Sequence, residues 1–217
     1  MVERLNIQIA SEPMQLLADR ALYWPARQRL IIADLHLGKG DTFRAAGISV
    51  PSGGTQHDLS RLTHLLRMTE ATELWILGDF LHARAFPQVD AAWRRFRAEH
   101  PDVTVTVVPG NHDRLLVAED WGLQAQPASL HDAPFAFQHA PGTTANPGHV
   151  ICGHLHPVVR LRGLGRSSVF WLAQDQCVLP AFSAFTGGFL LPPTDAVDCV
   201  ACDGQSLVPL GIGAARG

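Results

Sequence analysis

Short apolar runs alternate with helical patterns over the first half of the chain. Residues 29–33, 73–77 and 103–108 are compact, largely apolar and followed by polar or turn residues, which is typical of buried strands. Between them, 55–69 and 88–100 carry apolar residues at helical spacing. Two helical crossovers that link three buried strands predict βαβ units and a parallel sheet.

The rest of the chain is predicted to be mostly β. Short strands are expected at 5–9, 14–18 and 21–24, where prolines separate them. The polar stretch 40–54 is rich in Gly and Pro and predicts a loop, with Ser52 or Thr55 capping the helix that follows. Further strands are predicted at 135–138, 150–152, 158–161, 168–172, 177–179, 189–191 and 197–201, before a glycine-rich end that we expect to be frayed.

The composition fits a single globular domain over residues 1–217. Hydrophobic residues make up 47% and charged residues 17%, which excludes a disordered chain. The net charge of −3 argues against a generally basic surface that coats nucleic acid, although a local basic groove stays possible. No apolar run approaches a membrane span and residues 1–10 do not resemble a signal peptide, so we expect a cytoplasmic protein without membrane association.

The four cysteines are expected to be reduced in such a protein. Cys199 and Cys202 form a Cys-x-x-Cys motif, but no second pair completes a zinc site. In an extended strand their odd spacing also points them to opposite faces. We therefore interpret them as small residues of a terminal strand, with a redox or metal role as the alternative.

Oxygen and imidazole donors follow five of the predicted strands. The clusters are Asp34 with His36, Asp79, Asn111-His112-Asp113, His139, and His154 with His156. In Asp34-x-His36 and His154-x-His156 an extended backbone would place both donors on one face. A lone histidine is usually structural. Five such clusters at strand ends, where open α/β sheets bind ligands, predict one metal centre.

This set of donors fits two divalent ions about 3.5–4 Å apart that share a bridging carboxylate. Two ions bring four positive charges, whereas Asp34 and Asp79 return two negative ones, so the centre attracts an anion and acidifies a bridging water. Donors without a thiolate favour Mn, Fe or Zn over a soft metal, and affinity order alone does not choose between them. The residues alone thus predict metal-assisted hydrolysis of a phosphate ester.

The five clusters, in their order along the chain, resemble the five sequence motifs of calcineurin-like metallophosphoesterases. The resemblance implies a four-layer αββα sandwich of the α/β class with a dinuclear centre. It implies that one ion is held by Asp34, His36, Asp79 and His156, and the other by Asp79, Asn111, His139 and His154, with Asp79 bridging. It also makes His112 the general acid or transition-state donor, oriented by Asp113.

Longer stretches at 34–39, 43–47, 78–82 and 179–188 are similar to small bacterial phosphoesterases associated with an ATP-dependent DNA ligase. That resemblance implies manganese-dependent phosphodiesterase or endonuclease activity on DNA, a role in DNA repair, and ligase, helicase and exonuclease neighbours. Gly78-Asp79 lacks the Val-Asp-Arg-Gly continuation of the protein phosphatases, which argues against a phosphoprotein substrate.

Four basic residues are candidate phosphate contacts. Lys39 and Arg44 lie in the predicted loop over the site, and could equally be solvated loop charges. Arg160 and Arg162 share one face of a strand that begins at the metal site, and could equally be surface charges on an edge strand.

Two other functions compete with a DNA phosphodiesterase. A small-molecule phosphoesterase, for instance one acting on cyclic nucleotides, would use the same centre. A binding scaffold that has lost catalysis would lack ligands, whereas this chain has every expected ligand and His112.

Overall fold

The computed structural model describes residues 2–83, 86–142, 148–161, 163, 165–184, 186–192 and 198–211. The α-helices are α1 (Lys39–Ala45), α2 (Gly54–Thr69) and α3 (Pro87–Glu99), and short 3₁₀ helices span Pro25–Arg27, Asp113–Leu115 and Ala118–Trp121. The first seven strands are β1 (Arg4–Ile9), β2 (Glu12–Leu17), β3 (Ala21–Trp24), β4 (Arg29–Ala33), β5 (Glu73–Leu77), β6 (Thr104–Val108) and β7 (Gln124–Ala125). The others are β8 (Ser129–Asp132), β9 (Phe135–Gln138), β10 (His149–Cys152), β11 (Pro157–Leu161), β12 (Gly165–Leu172), β13 (Gln176–Val178), β14 (Phe189–Leu190), β15 (Cys199–Cys202) and β16 (Leu207–Leu210).

The first sheet has the order β1-β2-β3-β4-β5-β6-β7, and its strands β4 to β7 are parallel. In register, Ala33 pairs with Leu77 and Leu77 with Val108, so β4, β5 and β6 end side by side. This alignment follows from the two helical crossovers that the sequence predicted. The residues that follow these three strands are therefore brought to one edge of the sheet.

Alternate residues of the first sheet face two different cores. Leu30 and Ile32 of β4 pack in a cluster with the apolar faces of α2 and α3, whereas Ile31 and Ala33 pack in a cluster with the second sheet. Continuous apolar runs are required because these strands are buried on both faces. The inter-sheet core also takes in Phe135 and other aromatic residues of the second sheet.

The second sheet runs β14-β11-β12-β13-β10-β9-β8, and β15 and β16 extend it from β12. Strands β9, β10 and β13 are parallel, so this sheet is mixed. The expected α/β fold with two packed sheets is confirmed. All three described α-helices precede β6 in the chain. Helices α2 and α3 form a helical layer that packs on the first sheet. No helix among the described residues is long and apolar enough to cross a bilayer.

The structure departs from the sequence prediction at several short elements. Residues 39–45 form α1 and not a loop; this helix buries none of its residues, so it has no apolar stripe to reveal it. Gly53 is the N-cap of α2 without a side-chain cap, and the Thr55 hydroxyl instead accepts the Gly38 N–H at 3.2 Å. Strands β7, β8 and β16 were not predicted. Residue 197, the predicted start of β15, lies outside the described residues.

The cysteines of the Cys-x-x-Cys motif lie in strand β15 and point to opposite faces, as predicted. Cys199 packs in a small outer cluster, whereas Cys202 faces the inter-sheet core. Burial raises the pKa of Cys199 to about 11 and that of Cys202 to about 12. Burial therefore favours the protonated thiol at both positions.

Candidate metal centre

Five of the seven predicted ligands have a left-handed backbone. They are Asp34 (φ 55°), His36 (φ 46°), Asp79 (φ 50°), His154 (φ 70°) and His156 (φ 49°). The expectation that Asp34 and His36, or His154 and His156, share a face because their backbone is extended is therefore wrong. The donors converge through sharp turns at the strand ends, and such strained conformations are typical of functional sites.

One group of donors consists of Asp34, His36 and His156, whose ligating atoms all lie within 4.8 Å of one another. His156 Nε2 is 3.3 Å from Asp34 Oδ1. These two atoms and both ring nitrogens of His36 are buried and have no hydrogen-bond partner among the described residues. Buried polar atoms normally have partners, so this arrangement suits a cation between them.

A second group consists of Asp79, His139 and His154, again with donor atoms within 4.8 Å of one another. Asn111 Oδ1 lies 3.0 Å from His139 Nε2, and His154 Nδ1 lies 2.9 Å from the same nitrogen. The Leu77 carbonyl accepts from His139 Nδ1 at 3.1 Å, which leaves a lone pair on His139 Nε2. That lone pair faces the Asn111 carbonyl oxygen, and a cation would relieve the conflict between two acceptors.

Asp79 joins the two groups. Its Oδ2 lies 3.6 Å from His36 Nε2, and its Oδ1 lies 3.6 Å from His139 Nε2. Each oxygen therefore faces one group, as a bridging carboxylate requires. The structure thus brings all seven predicted ligands together at the edge where β4, β5 and β6 end.

Two glycines allow this close approach. A Cβ at Gly110 would collide with the carboxylate and backbone nitrogen of Asp79, and one at Gly153 would collide with Ala33 and with the Asp34 carboxylate. Glycine is therefore required at both positions if the two acidic side chains are to keep their places.

Burial favours the neutral form of two of the imidazoles, His36 and His154, and an imidazole must be neutral to bind a metal. Burial lowers the pKa of His36 to about 2, helped by the positive charge of Lys39, and it also lowers the pKa of His154. Burial likewise lowers the pKa of Lys39, against the opposing effect of Asp34 and Asp79. Lys39 is the first residue of α1, close enough to both carboxylates to interact with them.

His112 has an exposed ring at the mouth of the centre, and its backbone N–H donates to Asp79 Oδ1 at 3.0 Å. Its Nδ1 donates to the His82 carbonyl at 2.7 Å. The carboxylate of Asp113, which was predicted to orient this ring, bonds to backbone groups of the neighbouring loops. Asp113 is buried, and its carboxylate accepts backbone N–H groups from Gly110, Phe80 and Leu81 at 2.9–3.3 Å. It therefore fixes the loop that leads to His82, one step behind the contact with His112.

His82 also belongs to this site, although no role was predicted for it from the sequence. Its ring stacks on that of His112 at 5.1 Å and 22°, and its edge meets His36 at 5.3 Å. Burial lowers its pKa to about 4, so its ring is neutral. The only sequence signal was its place in the 78–82 stretch.

The remaining candidate phosphate contacts are Arg44, Arg160 and Arg162. Arg44 pairs with Asp41 at 2.7 Å and donates to the Pro51 carbonyl at 2.8 Å. Arg160 is exposed on β11, opposite Arg166 of β12. Arg162 lies outside the described residues. Their role in substrate binding stays a prediction.

Comparison with known proteins gives a family and structural relatives. The family model of calcineurin-like phosphoesterases matches residues 29–176. The nuclease MPE of Pseudomonas putida superposes with a TM-score of 0.85 and 35% identity, over 96% of this chain and 100% of that protein. Two others have TM-scores below 0.5: the E. coli phosphoesterase Yfce (0.47, 15% identity, 85% of this chain and 99% of that protein) and AQ665 of Aquifex aeolicus, a protein of unknown function (0.43, 18% identity, 59% and 78%). No curated protein matches the sequence.

Proposed function

The chain belongs to the calcineurin-like phosphoesterase family, and we propose that it is a dinuclear-metal phosphodiesterase that cleaves DNA as an endonuclease in DNA repair. The family match and the structural similarity to a nuclease support a metal-dependent phosphoester hydrolase. The observation that carries the proposal is the position of Asp79, whose two carboxylate oxygens face two separate groups of donors.

We assign one divalent ion to Asp34, His36, Asp79 and His156, and the other to Asp79, Asn111, His139 and His154. The orphaned buried nitrogens and oxygen of the first group support this assignment, as do the opposed lone pairs of the second. Nitrogen and oxygen donors without a thiolate suit Mn, Fe or Zn. Among these we propose Mn²⁺, because of the resemblance to manganese-dependent phosphoesterases. When bound, such a pair of ions polarises a phosphate and lowers the pKa of a water.

We propose His112 as the proton donor. Because its Nδ1 donates to the His82 carbonyl, Nε2 of the protonated ring is the atom that can transfer a proton to the leaving oxygen. Asp113 supports this geometry by holding the backbone of Phe80 and Leu81. The ring is exposed, as contact with a large substrate requires.

DNA is the proposed substrate for two reasons. The structural relative with 35% identity over 96% of the chain is a nuclease. The site also opens at a sheet edge with an exposed His112, so a long chain of phosphodiesters has access to it.

The test is hydrolysis by Mn²⁺-reconstituted protein of single-stranded DNA, duplex DNA and cyclic nucleotides at equal phosphodiester concentration. We expect cleavage of DNA and two Mn²⁺ per chain by elemental analysis. The matched control is His156→Ala, which should lose one ion and the activity together. Hydrolysis of cyclic nucleotides alone would favour the small-molecule alternative, and one ion or none per chain would contradict the dinuclear centre.

A further inference from the structure

A buried charged cluster lies outside the metal centre. Arg61 of α2 pairs with Asp19 at 2.6 Å and with Asp58 at 2.9 Å, and the three side chains are only 13%, 9% and 5% exposed. An arginine buried between two carboxylates has a fixed guanidinium, because its planar fork must satisfy both partners. A fixed guanidinium can in turn hold the other groups that Arg61 contacts in defined positions.

Arg61 contacts the segment at 182–183. Its Nη1 donates to the Phe182 carbonyl at 2.8 Å, and its guanidinium lies 4.2 Å from the centre of the Phe182 ring. Arg20 holds the next residue, donating from Nη1 to the Ser183 carbonyl at 3.3 Å. Two arginines thus fix both carbonyls of this short segment.

The opposite side of the same segment contacts the strand end that carries Asp34. The Phe182 N–H donates to the Ala33 carbonyl at 2.9 Å, and the Ser183 N–H donates to the Asp34 carbonyl at 3.3 Å. Ala181 forms an isolated parallel bridge with Ala33. The segment is therefore clamped between the arginines and the backbone of a candidate ligand.

Asp34 needs such support because its backbone is left-handed, with φ of 55°. In this conformation its Oδ2 accepts the His154 N–H at 2.9 Å, which leaves Oδ1 directed at His156 Nε2. A rotation of the Asp34 peptide would change the direction of Oδ1. We propose that Arg61 is a positioning residue of the metal centre, which acts through Phe182 and Ser183 on Asp34. The inference rests on the proposed dinuclear site.

The alternative is that the Arg61 cluster stabilises the fold and nothing more. The chain offers a matched control in Arg29, which is also buried and paired with two carboxylates, Glu73 and Asp132. Arg29 begins β4, whereas Asp34 follows the end of the same strand. The two arginines are thus similar in burial and charge pairing, and differ in which end of β4 they support.

The experiment compares Arg61→Met with Arg29→Met in Mn²⁺ titrations of the metal-free full-length chain. Calorimetry gives the affinity of each site, electron paramagnetic resonance distinguishes coupled from isolated Mn²⁺, and thermal unfolding of the metal-free protein reports stability. We expect both variants to unfold at a lower temperature. Arg61→Met alone should bind one of its two ions about 10–100-fold more weakly and lose the coupled signal, as when a group that orients a ligand is removed.

Arg61→Lys covers the case in which Arg61→Met does not fold. A lysine keeps the charge beside Asp19 but cannot reach Asp58 and the Phe182 carbonyl together, so a smaller loss at the same site is expected. Wild-type Mn²⁺ affinity in a folded Arg61 variant, or an equal loss in Arg29→Met, would overturn the positioning role. Failure of the wild-type chain to bind two ions would instead contradict the proposed function itself.

Discussion

The two ends of the central parallel strands both carry buried polar and charged groups, but they differ in whether these groups have partners within the protein. At the amino end, Arg29 donates from Nε to Glu73 at 2.7 Å and from Nη1 to Asp132 at 2.9 Å, and its guanidinium lies 3.8 Å from the ring centre of Trp75. These charged groups at the amino end have partners within the protein. That end of the sheet therefore contributes to stability.

At the carboxyl end, several buried polar atoms have no such partner in the part of the chain that the structure describes. Asp34 Oδ1, His36 Nε2 and His156 Nε2 have no hydrogen-bond partner among the described residues. The backbone is left-handed there, whereas β4 itself is regular. Buried polar atoms without hydrogen-bond partners destabilise the folded protein. A bound cation that interacts with these atoms would offset this cost. The comparison thus separates residues whose charges are paired within the protein from residues that we assign to the metal centre.

The largest expected effect is that of Asp79→Asn. The change keeps the shape of the side chain but removes the charge that faces both donor groups, so both ions should be lost. Because each ion contributes several kcal/mol of transition-state stabilisation, activity should fall by more than roughly 10⁴-fold. Elemental analysis and DNA cleavage measure the two losses. Asp132→Asn, at the amino end, is the control and should keep both ions.

His112→Ala should separate chemistry from metal binding at the carboxyl end. Its imidazole donates to the His82 carbonyl and meets the His36 ring edge-on at 5.3 Å, but it belongs to neither group of donors, so both ions should stay bound. Loss of a positioned proton donor should lower kcat by on the order of 10²–10⁴-fold. Single-turnover DNA cleavage with parallel metal analysis tests this. Loss of metal as complete as in His156→Ala would refute the role given to His112.

Arg29→Met should show the opposite behaviour. Loss of charged hydrogen bonds to Glu73 and Asp132 should destabilise the protein by about 1.5–3 kcal/mol, measured by urea unfolding. The folded variant should bind Mn²⁺ and cleave DNA as the wild type does. A drop in kcat at full metal loading would show that the two ends are not independent.

The smallest expected effect concerns Arg160, which lies beyond the centre on β11. If it contacts a DNA phosphate, Arg160→Ala should reduce the slope of log affinity against log salt by about 0.7 for a single strand. Hydrolysis of a small chromogenic phosphodiester should be unchanged. Arg94→Ala is the control, since Arg94 is an exposed arginine paired with Asp90 on α3. An unchanged slope would make Arg160 an ordinary surface charge.

The strands and the ligand set could be predicted from sequence because both have local signals. β4 and β5 were predicted with their observed bounds because continuous apolar runs mark strands buried on both faces. Asp34, Asp79 and His154 were predicted because metal-binding groups at strand ends are chemically distinctive. Helix α1 was missed because it buries no residue, so nothing in the pattern distinguishes it from a loop.

What the sequence could not predict depends on contacts between distant residues. The contact of His112 with the His82 carbonyl spans 30 positions, and that of Arg61 with the Phe182 carbonyl spans 121. The left-handed backbone at Asp34 was also missed, because an Asp after a strand is compatible with either backbone form. The residue types at the strand ends predict which residues form the site. Tertiary contacts determine the orientation of each side chain.

The left-handed backbone at the ligands limits how this site can change during evolution or by design. Apart from glycine, Asp, Asn and His are the residues that tolerate positive φ best, and they also supply hard and borderline donors. The ligands Asp34, His36, Asp79, His154 and His156 meet both requirements at once. A cysteine ligand for a softer metal would lack this conformational tolerance. In the proposed centre, the dihedral angles of the main chain thus favour residue types that supply hard and borderline donors.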